Sequence, residues 1–184
     1  MDTQAATTMI DQRNSAQVWS WLAEVPDPEI PVISVVDLGI VRDVAWHGDE
    51  CVVTITPTYS GCPAMTVIAE AITQALHEHG IESVRLQTQL SPAWTTDWMS
   101  EDGKRKLKAY GIAPPAEQVI DISGLRSDAA AASAISRKRP ALVVVCPHCG
   151  SGRTRITSQF GSTPCKALYR CDDCLEPFDY FKCH

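Results

Sequence analysis

Two cysteine pairs, C-P-H-C at 146–149 and C-D-D-C at 171–174, carry the strongest chemical signal in this sequence. A C-x-x-C step lets both thiolates point into one tetrahedron without backbone strain, and two such steps complete a four-coordinate site with Zn–S distances of ~2.3 Å. The 21 residues between Cys149 and Cys171 slightly exceed the common spacing, which a β-hairpin between the knuckles would absorb. Six of the eight cysteines fall within 38 residues. Clustered thiols in a reducing compartment serve metal or redox chemistry more often than disulfides. Cys146, Cys149, Cys171 and Cys174 are therefore expected to hold a structural zinc ion.

Three further groups near this end could bind metal. Cys165 could replace a knuckle ligand, serve a second ion, or pack as a small apolar group. Cys183 and His184 could also bind metal, and iron–sulfur ligation by some of these thiols stays open. His148, inside the first knuckle, reads as a solvent-facing loop residue. Away from the ribbon, Cys62 stands in T-Y-S-G-C-P-A, where a helix start would expose unpaired N–H groups and favour a thiolate. It reads equally as a transient ligand, a nucleophile, or a packed cap-position cysteine. Asp27, Glu29 and Asp37 gather in a proline-rich loop. Folded over Cys62, they would make a mixed carboxylate–thiolate cluster suited to a transition metal. Otherwise they cap the loop by accepting backbone N–H bonds.

The elements that must position these groups follow from periodicity. Residues 15–24 read as a short helix with Val18, Trp19 and Leu22 on one stripe. The prolines of V-P-D-P-E-I-P forbid regular helix, and Gly39 marks a turn. Strands are expected at Ile40–Trp46 and Cys51–Pro57, joined by a turn through His47-Gly48-Asp49-Glu50. From Cys62 to His79, Met65, Ile68, Ile72 and Leu76 recur at helical spacing, Pro63 fits the first turn, and Gly80 supplies the stop. Alternation from Val84 to Leu90 gives another strand. A short helix near Ser100–Tyr110 ends at Gly111, and its run Lys104–Lys108 reads as a solvated face. Trp94 and Trp98 read as core or interface packing. The ribbon is expected to contain strands at Ala141–Val145, near Arg153–Phe160, before the second knuckle, and through Tyr180.

The expected fold class is α+β. A small α-β-β-α-β sandwich spans 15–92, a Trp-containing helical extension 93–115 and a linker 116–139. An all-β zinc ribbon then spans 140–184. The linker falls where an Ala/Ser run loses all periodicity.

The chain has 184 residues, 45% of them hydrophobic and 21% charged, an ordinary globular composition. No apolar run approaches the ~20 residues that cross a bilayer, and the first twenty lack a signal-peptide pattern. No membrane association and a cytoplasmic location are expected. The net charge of −6 divides into +4 over residues 136–184 and −10 over the remainder. An acidic body argues against broad nucleic-acid binding, which needs dense positive charge. The basic end suits docking to an acidic partner.

The stretch V-P-D-P-E-I-P-V-I-S-V-V-D-L-G-I-V at 25–41, with S-G-C-P-A at 60–64, resembles the small iron–sulfur assembly domain called domain of unknown function 59. That family includes SufT-type proteins and the eukaryotic cytosolic iron–sulfur targeting subunit. With the added W-T-T-D-W-M-S-E-D-G-K-R-K-L-K-A-Y-G-I-A-P-P and the cysteine-rich end, the chain is similar to the D-subunit family of bacterial phenylacetyl-CoA epoxidase systems. The resemblance implies an accessory, non-catalytic role in aerobic phenylacetate degradation, helping to mature a metal centre of the reductase or oxygenase subunits. It also implies structural zinc and a transient iron or iron–sulfur cargo. By position, Cys62 matches the family's motif cysteine, and Asp27, Glu29 and Asp37 match its acidic loop. A thiol-redox or electron-transfer component of the same complex is the alternative, and a nucleic-acid-binding ribbon a third reading. A homodimer through the Trp94 region stays open.

Overall fold

Asn14 starts the first helix by geometry and by chemistry. Its backbone is extended, and its Oδ1 accepts from the Ala16 N–H at 3.0 Å, satisfying one of the orphan donors of a helix start. In the computed structural model, which describes residues 14–59, 61–115 and 143–182, this helix α1 spans Ser15–Leu22. Val18 and Leu22, one turn apart, are its buried residues. Trp21 stacks on His79 with ring centroids 4.3 Å apart, pinning α1 to the far end of the next helix.

The first hairpin pairs β1 (Val41–His47) with β2 (Glu50–Ile55). His47 faces Glu50, so two residues make the turn, and Gly48 takes φ +66° there without a Cβ penalty. Helix α2 (Met65–Glu78) follows, burying Ile68, Ile72 and Leu76, and it leads to β3 (Val84–Thr88). That crossover lets β3 run parallel to β2, as a hairpin could not. The resulting sheet has the order β1-β2-β3, and central β2 buries Cys51, Val52, Val53 and Ile55.

The α-β-β-α-β order agrees with the periodicity, but α2 starts at Met65 and not at Cys62. Ala64 is its N-cap, with no side-chain cap bond. Cys62 sits in the preceding turn, its N–H donating to Tyr59 O at 3.1 Å while its carbonyl accepts from Met65 N at 3.3 Å. Proline at 63 fits a turn as readily as a first helical turn, so periodicity placed the helix but not its first residue.

Beyond a short 3₁₀ turn at Thr96–Trp98, Ser100 caps α3 (Glu101–Ala109), accepting from Gly103 N at 2.9 Å. Gly111, at φ +91°, turns the chain out of the helix. The two residues that follow, Ile112–Ala113, form β4, the edge of a second sheet of order β4-β7-β6-β5. Here β5 is Thr154–Ser158, β6 Lys166–Cys171 and β7 Pro177–Phe181. β4 runs parallel to β7, and the other pairs are antiparallel.

Residues 143–145 form no strand, against the expectation for Ala141–Val145. Val143 and Val145 are exposed and only Val144 turns inward, so this valine run serves as the approach to the first knuckle. The first two residues of that expected strand, and the expected linker at 116–139, lie outside the described residues.

The main core joins α1, α2 and both early strands to Trp94, Leu107, Ile112, Cys165 and Phe181. Trp94 is 3% exposed, donates from Nε1 to Leu38 O at 2.9 Å, and meets Phe181 edge-on at 6.1 Å. A smaller core of Ala113, Val144, Cys146, Ala167, Cys171, Phe178 and Tyr180 underlies the knuckles. So small an apolar cluster leaves a clear role for a metal in stabilising the ribbon.

Candidate metal centres

Each knuckle brings its cysteines together by the same backbone device. Cys146 N donates to Ser151 O at 2.8 Å and Cys171 N to Glu176 O at 3.0 Å. The residue after each second cysteine turns left-handed: Gly150 at φ +76° and Leu175 at φ +65°. Asp173 ties the two knuckles, taking an ion pair from Arg153 and a hydrogen bond from the Ser151 hydroxyl.

The sulfur atoms of Cys146, Cys149, Cys171 and Cys174 all lie within 4.8 Å of one another. Cys146–Cys174 measures 3.7 Å and Cys149–Cys171 3.6 Å. A tetrahedron with ~2.3 Å metal–sulfur bonds has edges of about 3.8 Å, so the cage fits such an ion. The backbone N–H of Cys174 donates to the Cys171 sulfur and, with the other thiols, holds Cys171 below the ordinary cysteine range, while those neighbouring thiols push Cys174 above it. Donors aimed at sulfur favour the thiolate that a metal requires. This is a metal-binding site, two of its ligands fully buried and one exposed.

The second locus lies around Cys62, which is half-buried. Burial lifts its thiol above the ordinary range; the Ala64 N–H opposes this, the Glu29 and Asp27 carboxylates add to the rise, and Thr58 opposes it. The expectation of a thiolate stabilised by the helix start is therefore corrected. The helix begins beyond the residue, and burial outweighs the single N–H. Tyr59, which no motif singled out, hydrogen bonds with Cys62 and feels Glu29 and Cys165. Its place in the turn three residues earlier was the only sequence signal for it.

The three acidic residues divide. Asp27 is buried, and its Oδ1 accepts from Glu29 N and Ile30 N, both at 2.8 Å; burial raises its carboxyl above the usual range despite those bonds. Glu29 is half-buried and points to the ribbon, where Cys165 Sγ donates to Oε2 at 3.5 Å. Asp37 is engaged elsewhere: it accepts from Ser34 N at 3.1 Å, Ser100 Oγ at 2.8 Å and Lys106 Nζ at 2.7 Å. Lys106, expected on a solvated face, is the anchor that ties this loop to α3.

Cys165, 6% exposed, belongs to the main core and also takes a 3.0 Å contact from Thr163 Oγ1. Burial pushes its thiol up to about 11. It stands apart from the knuckle cage. His148 is exposed, its ring edge-on to Phe178. Cys183 and His184 lie outside the described residues. Among the described residues no helix is long and apolar enough to cross a membrane.

Two family models match the chain: an iron-sulfur cluster assembly protein model over residues 15–85, and a PaaD zinc beta ribbon domain model over residues 130–182. A protein of Escherichia coli K12, named as the D subunit of a "Putative 1,2-phenylacetyl-CoA epoxidase", is 47% identical over 167 residues, covering 91% of this chain and 92% of that one. The Bacillus subtilis "Fe-S protein maturation auxiliary factor YitW" is 34% identical over 85 residues, 45% of this chain and 82% of its own. Among solved structures, a domain of unknown function DUF59 from Bacillus anthracis is 28% identical, covering 50% of this chain and 90% of its own, with a TM-score of 0.47.

Proposed function

Since the chain belongs to the family of phenylacetyl-CoA epoxidase D subunits, we propose that it acts as a maturation factor for that epoxidase and does not itself catalyse epoxidation. In this reading the module at 15–92 handles the cargo, iron or an iron–sulfur cluster, through Cys62. The extension at 93–115 joins it to the ribbon at 140–184, which keeps a structural zinc and docks the client, an oxygenase or reductase subunit. Its place of action is the cytoplasm.

The observation that carries the reading is the setting of Cys62. A thiol-exchange catalyst needs a lowered thiol pKa, whereas burial and two nearby carboxylates raise this one. The same carboxylates favour a metal cation, whose charge reverses the effect and releases the thiol proton. Cys62 is thus better suited to holding a cation than to attacking a disulfide.

The test separates a helper from a working component. Epoxidase subunits are produced in cells containing this chain, purified free of it, and assayed with and without its return. The maturation reading expects undiminished turnover without it, and iron-poor subunits when cells lack it throughout. Turnover that falls on omission and recovers on addition would instead identify an electron-transfer component.

A further inference from the structure

The proline-rich loop carrying Glu29 and the ribbon segment before β6 meet beside the main core, against which Cys62 also packs. Glu29 and Cys165 are 136 residues apart, yet the Cys165 sulfur lies 3.5 Å from Glu29 Oε2. Resting on the maturation reading above, we propose that Cys165 and Glu29 form an exchangeable seat for a thiophilic divalent transition metal such as Fe(II). The ribbon then supplies a ligand to the cargo as well as a stable platform.

The donor set suits such an ion: a soft sulfur beside a hard carboxylate oxygen takes Fe(II), Co(II) or Zn(II) in preference to Mg(II) or Ca(II). Entry of the ion forms a metal–sulfur bond at Cys165 and a metal–oxygen bond at Glu29. The Cys165 S–H bond breaks, its proton passes to water, and no electrons move. The Glu29 carboxylate is also near enough to act on the Cys62 thiol. Lys166, 5% exposed, also acts on Cys165, but its ammonium is paired with Asp179 at 3.8 Å.

The seat differs in kind from the ribbon cage. Among the described residues, only the four knuckle cysteines come within 4.8 Å of one another as a group. Cys62 therefore stands back from the Cys165–Glu29 pair, and an ion held there keeps positions open for water or for a client ligand. A closed four-thiolate cage retains its metal, whereas an open site with few protein ligands can release it.

The probe is cobalt(II), titrated anaerobically into the full chain with its ribbon already filled by zinc. The seat predicts one further equivalent bound, with the near-ultraviolet charge-transfer band of cobalt–thiolate ligation. Cys165→Ser should remove most of that band and weaken binding by at least about tenfold, the loss seen even for indirect metal partners. Glu29→Gln, which lies outside the ribbon, should weaken binding comparably while keeping the band. Zinc content in the same samples separates a lost ligand from a lost fold. No uptake beyond the ribbon zinc, or titration of both variants like the parent, overturns the seat. Client iron that falls with Cys62→Ala while no cobalt binds defeats the seat alone. Cobalt binding as predicted with client iron indifferent to Cys62→Ala defeats the maturation reading alone.

Discussion

The Asp37 carboxylate accepts from Ser34, Ser100 and Lys106, and burial alone would raise its pKa. Those three donors outweigh burial and hold it below the usual carboxylate range. A lowered folded pKa stabilises the fold above the unfolded value of about 3.9, and that stability is lost as pH falls through the folded one. Asp37→Asn should therefore cost about 1.5–3 kcal/mol near neutrality, and denaturant unfolding should show parent and variant converging below about pH 4. At Cys171, fully buried in the cage, substitution by serine should leave the ribbon open to protease. Resistance equal to the parent's at the same concentration would refute a structural role. The four knuckle cysteines were legible because C-x-x-C spacing is itself a geometric constraint. The Cys165–Glu29 contact was not, since nothing local relates residues 136 positions apart.

Helices and strands were readable where one face repeats: Val18 and Leu22 in α1, and Ile68, Ile72 and Leu76 in α2. The valine run at 143–145 misled, because an exposed approach to a knuckle and a strand share the same residues. β4 was invisible, since two residues, Ile112 and Ala113, have no period to read. Turn chemistry offers sharper tests. At Gly39, φ is +67°, and an added Cβ would collide with the backbone of Trp98. Gly39→Ala should cost about 2–5 kcal/mol, combining left-handed strain with overpacking, as read from the denaturant midpoint. Leu175 makes the opposite case, an exposed leucine in the left-handed region where the matching knuckle has Gly150. Leu175→Gly should be neutral or stabilise by up to about 1 kcal/mol, and a clear loss would contradict the strain assigned there.

Over the whole molecule, the early sandwich and the ribbon share packing through Phe181, which is 1% exposed and lies against Trp94. Phe181→Ala should cost about 3–5 kcal/mol and lower the stability of both modules together. Unfolding followed by ribbon and sandwich probes should then coincide, and separate transitions would deny the shared core. This joining could not be read from composition, which marks two modules and a break between them. It is also what brings a ribbon cysteine beside the acidic loop, and with it the proposed exchange seat onto the same body as the four-cysteine cage. The most direct test of that division is to produce the epoxidase subunits with either the parent chain or Cys62→Ala, then count the iron in each purified client and the zinc in the chain. Unchanged zinc beside a marked fall in client iron is the expected result. Client iron and activity equal to the parent's would contradict it.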